Sequence, residues 1–309
     1  MAPACTMSAL RWNASQPPDT DTAQRDHEER IIARTATVLH PMKETSMPEE
    51  FEMDAGSAIA EEGRRVVDTH GFVVIRGFFD DAALRPLWRD VHRLVDSFAD
   101  ALGVSPPACD EREADRRVAA VLERTPTAQP VLYDRMQQMP ALLALPDDTR
   151  IREVAHTFLD TECLGVWPRV QLRLDPFSDR KNLIEWHHDY LYNQGTTRSY
   201  TFWMPLSDNT SEMGPLLVAD GSHRMDDVEF ERTGSESRFD FSLRDEMVAK
   251  LHVLPLSTRA GDLVVFHSLL LHSGQLNRTP GRARMSALFR IQDLRSLDAF
   301  ENWRSADGR

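Results

Sequence analysis

Residues 261–291 read GDLVVFHSLLLHSGQLNRTPGRARMSALFRI, and the fold class turns on this stretch. Two apolar runs, 263–266 and 285–291, are rich in β-branched and aromatic residues and are bounded by Gly, Asn, Thr and Pro. Runs of that length and punctuation predict strands. Arg284 lies 12 residues beyond His272, close enough for a short turn and a neighbouring antiparallel strand. Along the second run alternate residues share a face, so Arg284, Ser286, Leu288 and Arg290 point the same way.

The same texture extends upstream. RVQLRL (169–174), NLIEWHH (182–188), SYTFWMPL (199–206), GPLLVAD (214–220) and KLHVLPL (250–256) are short apolar runs between Gly, Pro, Asp, Asn and Ser clusters. Together they predict an antiparallel sandwich or barrel over about 165–293. The acidic stretch 224–248 reads as an insertion between strands.

Before residue 165 the pattern is helical. In 57–70, SAIAEEGRRVVDTH, Ile59, Val66 and Val67 fall at helical spacing, and Gly71 stands where a helix C′ glycine belongs. FVVIRGFF (72–79) is a strand, after which Asp80 or Asp81 can cap a helix with the apolar face Leu84, Leu87, Trp88, Val91, Leu94 and Val95. Further helical material fills 110–160. Helices outside a β core predict one domain over 51–309, with its chemistry in the β half. Residues 1–50 are polar and weakly periodic, an arm or linker. No repeat marks a solenoid or propeller.

Composition narrows the partners. With 36 Lys and Arg against 49 Asp and Glu, the formal net charge is −13, which disfavours nucleic acid and anionic membrane surfaces. Cys5, Cys109 and Cys163 form neither a disulfide framework nor a zinc spacing and suit a reducing cytosol. Neither a secretory leader nor an apolar run of membrane-spanning length is present in the sequence. A soluble cytoplasmic protein acting on a small molecule is expected. No heptad or self-complementary surface speaks to oligomeric state.

The chemistry gathers around Trp186-His187-His188-Asp189-Tyr190. In an extended chain His187 and Asp189 face one side and His188 the other, which offers an imidazole and a carboxylate to one divalent metal. His272 is the natural third donor. Two histidines and one carboxylate leave three positions open on octahedral iron, two for a chelating 2-oxo acid and one for dioxygen. Arg284 with Ser286 suits the far carboxylate of 2-oxoglutarate, since a buried guanidinium holds carboxylates bidentately. Arg282 has the same parity and is the rival anchor. Thr201 and Trp203 share a strand face and can line the pocket, with core packing the competing role. His188 and His267 read as ordinary structural histidines, and His223, beyond a turn among polar residues, is not taken as a ligand.

The ordered set GFVVIRGFF, WHHDY, FWMPLSD, MGPLLVADGSHR, GDLVVFHSLLLHSG and RMS, across roughly 55–293, resembles the phytanoyl-CoA dioxygenase family of Fe(II)/2-oxoglutarate oxygenases. The resemblance implies a double-stranded β-helix core, jelly-roll and cupin-like, with flanking helices. It implies His187, Asp189 and His272 as iron ligands, Arg284-x-Ser286 as the co-substrate clamp, and Gln171 facing the pocket. NRTPGRARMS carries one residue more than relatives often have before the clamp arginine, which keeps Arg282 in play. The implied reaction consumes dioxygen and decarboxylates 2-oxoglutarate to succinate while oxidising the substrate. Halogenases of this fold lack the carboxylate that Asp189 supplies, so hydroxylation is expected, with desaturation, cyclisation and epimerisation as alternatives. A cupin-like metal protein without turnover is the reading from another class, and the clamp speaks against it. Glu185, Asp208, Glu212, Asp220, Asp226, Asp227 and Glu229 crowd the motif-bearing segments, which suggests a cationic or polyhydroxylated substrate such as an amino sugar.

Overall fold

The computed structural model describes residues 51–54, 59–193, 195–226, 228–232 and 241–296, all within one compact unit, 43–309. The expected arm at 1–50 lies outside the described residues. Helices come first in the chain. Ile59–His70 (α1) ends at Gly71, whose φ of 84° is the left-handed turn that glycine adopts without strain. Asp80 caps Asp81–Leu102 (α2) by accepting the Ala83 backbone N–H at 2.9 Å, and the α2 face Leu84, Leu87, Trp88, Val91 and Val95 is buried. Ala114–Arg124 (α3), Gln129–Met136 (α4) and Thr149–Leu159 (α5) complete the layer.

The larger sheet has the strand order Glu52–Asp54 (β1), Phe72–Arg76 (β2), Leu263–His267, Ser199–Pro205, Arg284–Asp293 and Leu164–Val166 (β3), with Gln171–Asp175 (β4) also paired to Arg284–Asp293. Numbered along the chain, Ser199–Pro205 is β5, Leu216–Ala219 β6, Phe230–Arg232 β7, Phe241–Leu243 β8, Val253–Leu256 β9, Leu263–His267 β10, His272–Ser273 β11 and Arg284–Asp293 β12. A smaller sheet has the order β11-β6-β9. The two sheets enclose Phe72, Val74, Trp203, Val264, Phe266 and Leu288 from one side and Leu216, Val218 and Leu256 from the other. The alternate residues Val73, Ile75, Phe202, Met204, Val265, Ala287 and Phe289 join the helices in a second core. β5 is buried along its whole length, with the polar Ser199 and Thr201 set among its apolar residues. The architecture is the jelly roll with flanking helices. Among the described residues no helix is long and apolar enough to cross a membrane.

Two local expectations change. β12 is not the neighbour of the strand before it: β5 lies between β10 and β12, and β11 belongs to the smaller sheet. The chain therefore crosses from one sheet to the other between Ser273 and Arg284, against the turn before β6, where Arg278 N donates to Glu212 O at 2.7 Å. The run 182–186 is not a strand either. Gly274 N donates to Ile184 O, whereas His272 exchanges both backbone hydrogen bonds with His187, so one extra residue sits on the 184–187 side. That offset is a bulge, and it breaks the ladder at the metal-binding segment.

The described part of 224–248 forms the two-stranded β7–β8 sheet and a helical turn, Asp245–Val248. Leu243 N donates to the Trp186 carbonyl, and Phe230 meets the His188 ring edge-on at 4.9 Å. The insertion thus braces the segment that carries His187 and Asp189.

Candidate active site

The bulge and the β11 bridge set His187 beside His272, with ring centroids 4.2 Å apart. His188 is extended (φ −116°, ψ 151°), so Asp189 points back to the side of His187 even without a regular strand. Ligand atoms from His187, Asp189 and His272 all lie within 4.8 Å of one another, and the three residues are buried. His187 Nδ1 donates to Glu185 O at 2.7 Å and His272 Nδ1 to Leu270 O at 2.9 Å. A carbonyl only accepts, so both Nδ1 atoms carry the proton and Nε2 is left as the donor to a metal.

The electrostatics suit that task. Burial, followed by the neighbouring His272 charge, holds the His187 pKa well below the ordinary imidazole value. Burial likewise lowers that of His272 against the opposing pull of Asp189. For Asp189 burial acts to raise the pKa, but the Arg290 guanidinium and then His272 overcome it and keep the carboxyl far below the usual range. Two unprotonated imidazoles and an ionised carboxylate are the donor set that suits divalent iron. Thr201 Oγ1 donates to Asp189 Oδ2 and Arg290 Nη2 to Asp189 Oδ1, the latter at 2.6 Å. The hydroxyl of Thr201 thus steadies the carboxylate, from a fully buried position on β5.

The second half of the site lies along β12. Its cavity is walled by Gln171, Trp203, Leu216, Phe266 and Leu288 among others, and contains the three metal-ligating candidates. Arg284 and Ser286 face into it, alongside Arg173 and Arg290. Arg284 donates through Nη2 and Nε to Asp175 Oδ2 at 2.9 and 3.2 Å, and through Nη1 to the Gly214 carbonyl. Arg173 donates to the other Asp175 oxygen at 2.7 Å and to Asn182 O at 3.0 Å. Burial would raise the Asp175 pKa, yet Arg173 and then Arg284 bring it down to about 2. Arg282 points elsewhere, to the buried Asp115 outside the cavity. Only Arg284 of the two rivals is therefore placed to meet a ligand in this pocket.

Two arginines of this pocket, Arg290 and Arg173, and the Asp175 carboxylate that pairs with Arg173 and Arg284, carry no role in the sequence reading. Their signal was present, since Arg290 shares the parity of Arg284 and Ser286, and Arg173 that of Gln171.

The frame and the site together define a class, the jelly-roll oxygenases that hold one metal on two histidines and a carboxylate. Comparison with known proteins narrows it. The family model described as phytanoyl-CoA dioxygenase matches residues 67–286. The chain belongs to the phytanoyl-CoA dioxygenase family, and it is an Fe(II)/2-oxoglutarate-dependent oxygenase using dioxygen. It is 26% identical over 242 residues to the 1-deoxypentalenic acid 11-beta-hydroxylase of Streptomyces exfoliatus, covering 76% of this chain and 82% of that one. In fold it is similar to EctD from S. alaskensis with bound Fe, at a TM-score of 0.53 and 18% identity over 82% of each chain. The epimerase SnoN of nogalamycin biosynthesis matches at a TM-score of 0.50 and 16% identity over 76% of this chain and 83% of that one.

Proposed function

We propose that the enzyme hydroxylates an unactivated carbon of a small, largely apolar molecule, with iron on His187, Asp189 and His272 and the far carboxylate of 2-oxoglutarate on Arg284 and Ser286. The observation that carries this reading is the shared cavity, since the three metal-ligating candidates and the Arg284–Ser286 pair open into one space. When bound, iron and 2-oxoglutarate supply the oxidising power of dioxygen, with succinate and carbon dioxide released. The protein supplies placement. The Nδ1 bonds fix both imidazole rings, and Thr201 and Arg290 fix the carboxylate. Ile184, Trp203, Leu216, Phe266 and Leu288 give apolar walls that exclude water and orient the substrate. Gln171 has its place in the same wall, where an amide can contact co-substrate or substrate. The free thiols of Cys109 and Cys163 agree with a cytoplasmic setting.

The cationic, amino-sugar-like substrate expected from the acidic segments does not agree with this wall. Asp208, Glu212, Asp226 and Glu229 are exposed, and Asp220 accepts from His70; none of them lines the cavity. The cavity instead carries the guanidinium groups of Arg173, Arg284 and Arg290, so a neutral or acid substrate is favoured. The Streptomyces hydroxylase, whose name gives an acid as substrate, supports the same choice.

Anaerobic titration with iron(II) and 2-oxoglutarate tests the assignment, because the iron chelate of a 2-oxo acid absorbs weakly at the red end of the visible. The wild type is expected to show the band and His187→Ala to lose it. A missing wild-type band, or one unchanged in His187→Ala, overturns the site. A product that gains one oxygen in mass marks hydroxylation; a product without that gain moves the outcome to desaturation, cyclisation or epimerisation.

A further inference from the structure

Arg290 is the under-satisfied cation of the pocket. Arg284 and Arg173 each have an acidic partner and a backbone carbonyl to donate to. Arg290, with a side chain only 10% exposed, makes one hydrogen bond, through Nη2 to Asp189 Oδ1, and its Nε is buried without any acceptor. A guanidinium carries five donors, and leaving them unmet in a buried site is costly. The charge balance of the pocket is compatible with an anionic ligand. Arg173, Arg284 and Arg290 stand against Asp175 and Asp189, a surplus of one positive charge before any ligand enters. A divalent iron and a doubly negative 2-oxo acid leave that surplus unchanged.

Position decides which acceptor Arg290 meets. A 2-oxo acid chelates iron through its 2-oxo oxygen and one oxygen of its C1 carboxylate, so its two carboxylates lie at opposite ends of the site. Arg284 and Ser286 stand at the start of β12, and Arg290 stands further along the same face, tied to a metal-ligating candidate. We propose that Arg290 is a second co-substrate anchor, which bridges the Asp189 carboxylate and the C1 carboxylate of the bound 2-oxo acid. Arg284 then selects for the far carboxylate, while Arg290 grips the end common to every 2-oxo acid. This rests on the oxygenase reading above, and the test below separates the two.

The probes are 2-oxoglutarate and 2-oxobutyrate, which share the 2-oxo acid end but differ in the far carboxylate. Each is titrated anaerobically against full-length protein at saturating iron(II), with the chelate band as readout and manganese(II) affinity measured separately. Arg290→Met is expected to weaken both acids by a similar factor, about ten- to a hundredfold for a lost charge-assisted bond, and to keep the ratio between them. Arg284→Met is expected to collapse that ratio while leaving 2-oxobutyrate nearly unchanged. Arg290→Lys keeps the charge but not the fork, so it should fall between Arg290→Met and wild type; it also carries the test if Arg290→Met does not fold. Wild-type affinity for both acids in the Arg290 variants overturns the proposal. So does a deficit that higher iron concentration fully restores, because Arg290 would then act only by positioning Asp189. Absence of the band in the wild type overturns the oxygenase reading, and this one with it.

Discussion

At the scale of single residues, alternation along a strand was enough to find Arg284 and Ser286, because both lie on the cavity face of β12. It was not enough to give Arg290 or Asp175 a role. Their partners arrive from distant chain segments, Arg290 meeting Asp189 across 101 positions and Arg284 meeting Asp175 across 109. A sequence shows parity but not which acceptor a tertiary fold brings within reach. His267 shows the converse case, an ordinary structural histidine with a measurable consequence. Its Nδ1 accepts the Leu269 backbone N–H at 3.1 Å, and burial, with the His223 ring nearby, pushes its pKa down to about 4. The folded-state value is depressed, so on acidification the unfolded chain takes up this proton first. The associated stability is present above about pH 6.5 and is lost as the pH falls toward 4, about 3 kcal/mol in all. His267→Gln, which keeps an acceptor but cannot titrate, should flatten the fall in Tm between pH 6.5 and 4.5 while leaving the value at pH 8 within a few degrees. An equally steep fall in the variant assigns the acid sensitivity to other groups.

At the scale of elements, nearly every run picked out by composition is a strand, but neighbours in sequence were a poor guide to neighbours in space. The segment 261–291 looks like a hairpin, and it instead leaves the larger sheet after β10, passes through β11 of the smaller sheet and returns to the larger one as β12. Hydrophobic patterning specifies which face is buried; it is silent on the order in which a jelly roll lays strands side by side. The bulge at 184–187 was hidden for a related reason, since one inserted residue disturbs the ladder without disturbing the composition. Gly214 ties this element scale to the site. Its φ is 75°, a Cβ there would stand 2.5 Å from the Gln275 carbonyl oxygen, and its own carbonyl accepts from Arg284. Gly214→Ala must move either this turn or the crossing segment at Gln275–Leu276. The expected result is a loss of about 1–3 kcal/mol of stability together with weaker 2-oxoglutarate binding and unaltered metal affinity. Manganese affinity that falls as far as 2-oxoglutarate affinity would show that the turn supports the whole site and not the Arg284 end alone.

At the scale of the whole molecule, global and local charge have opposite signs. The chain carries −13, yet the cavity between its sheets is lined by three arginines, whose carboxylate partners are Asp175 and Asp189. Surface acidity repels polyanions but does not determine what a buried pocket attracts, so the acidic segments and the cavity lining speak for different substrates. The cavity is also where the two layers meet: His272 and Leu216 come from the smaller sheet, whereas Trp203, Arg284 and Arg290 come from the larger one. A ligand that contacts both layers stabilises the folded state by mass action, because the unfolded chain has no such pair of surfaces. Metal and co-substrate together should therefore raise Tm well beyond the effect of either alone. At concentrations near a hundred times Kd each ligand contributes about 2.7 kcal/mol, which corresponds to a rise of several degrees for a chain of this size. Manganese(II) serves as the redox-inert probe. His187→Ala should abolish the manganese-dependent rise, and Arg284→Met should retain that rise but lose most of the increment from 2-oxoglutarate. Equal increments from 2-oxoglutarate with and without metal would mean that the acid binds away from the His187, Asp189 and His272 cluster.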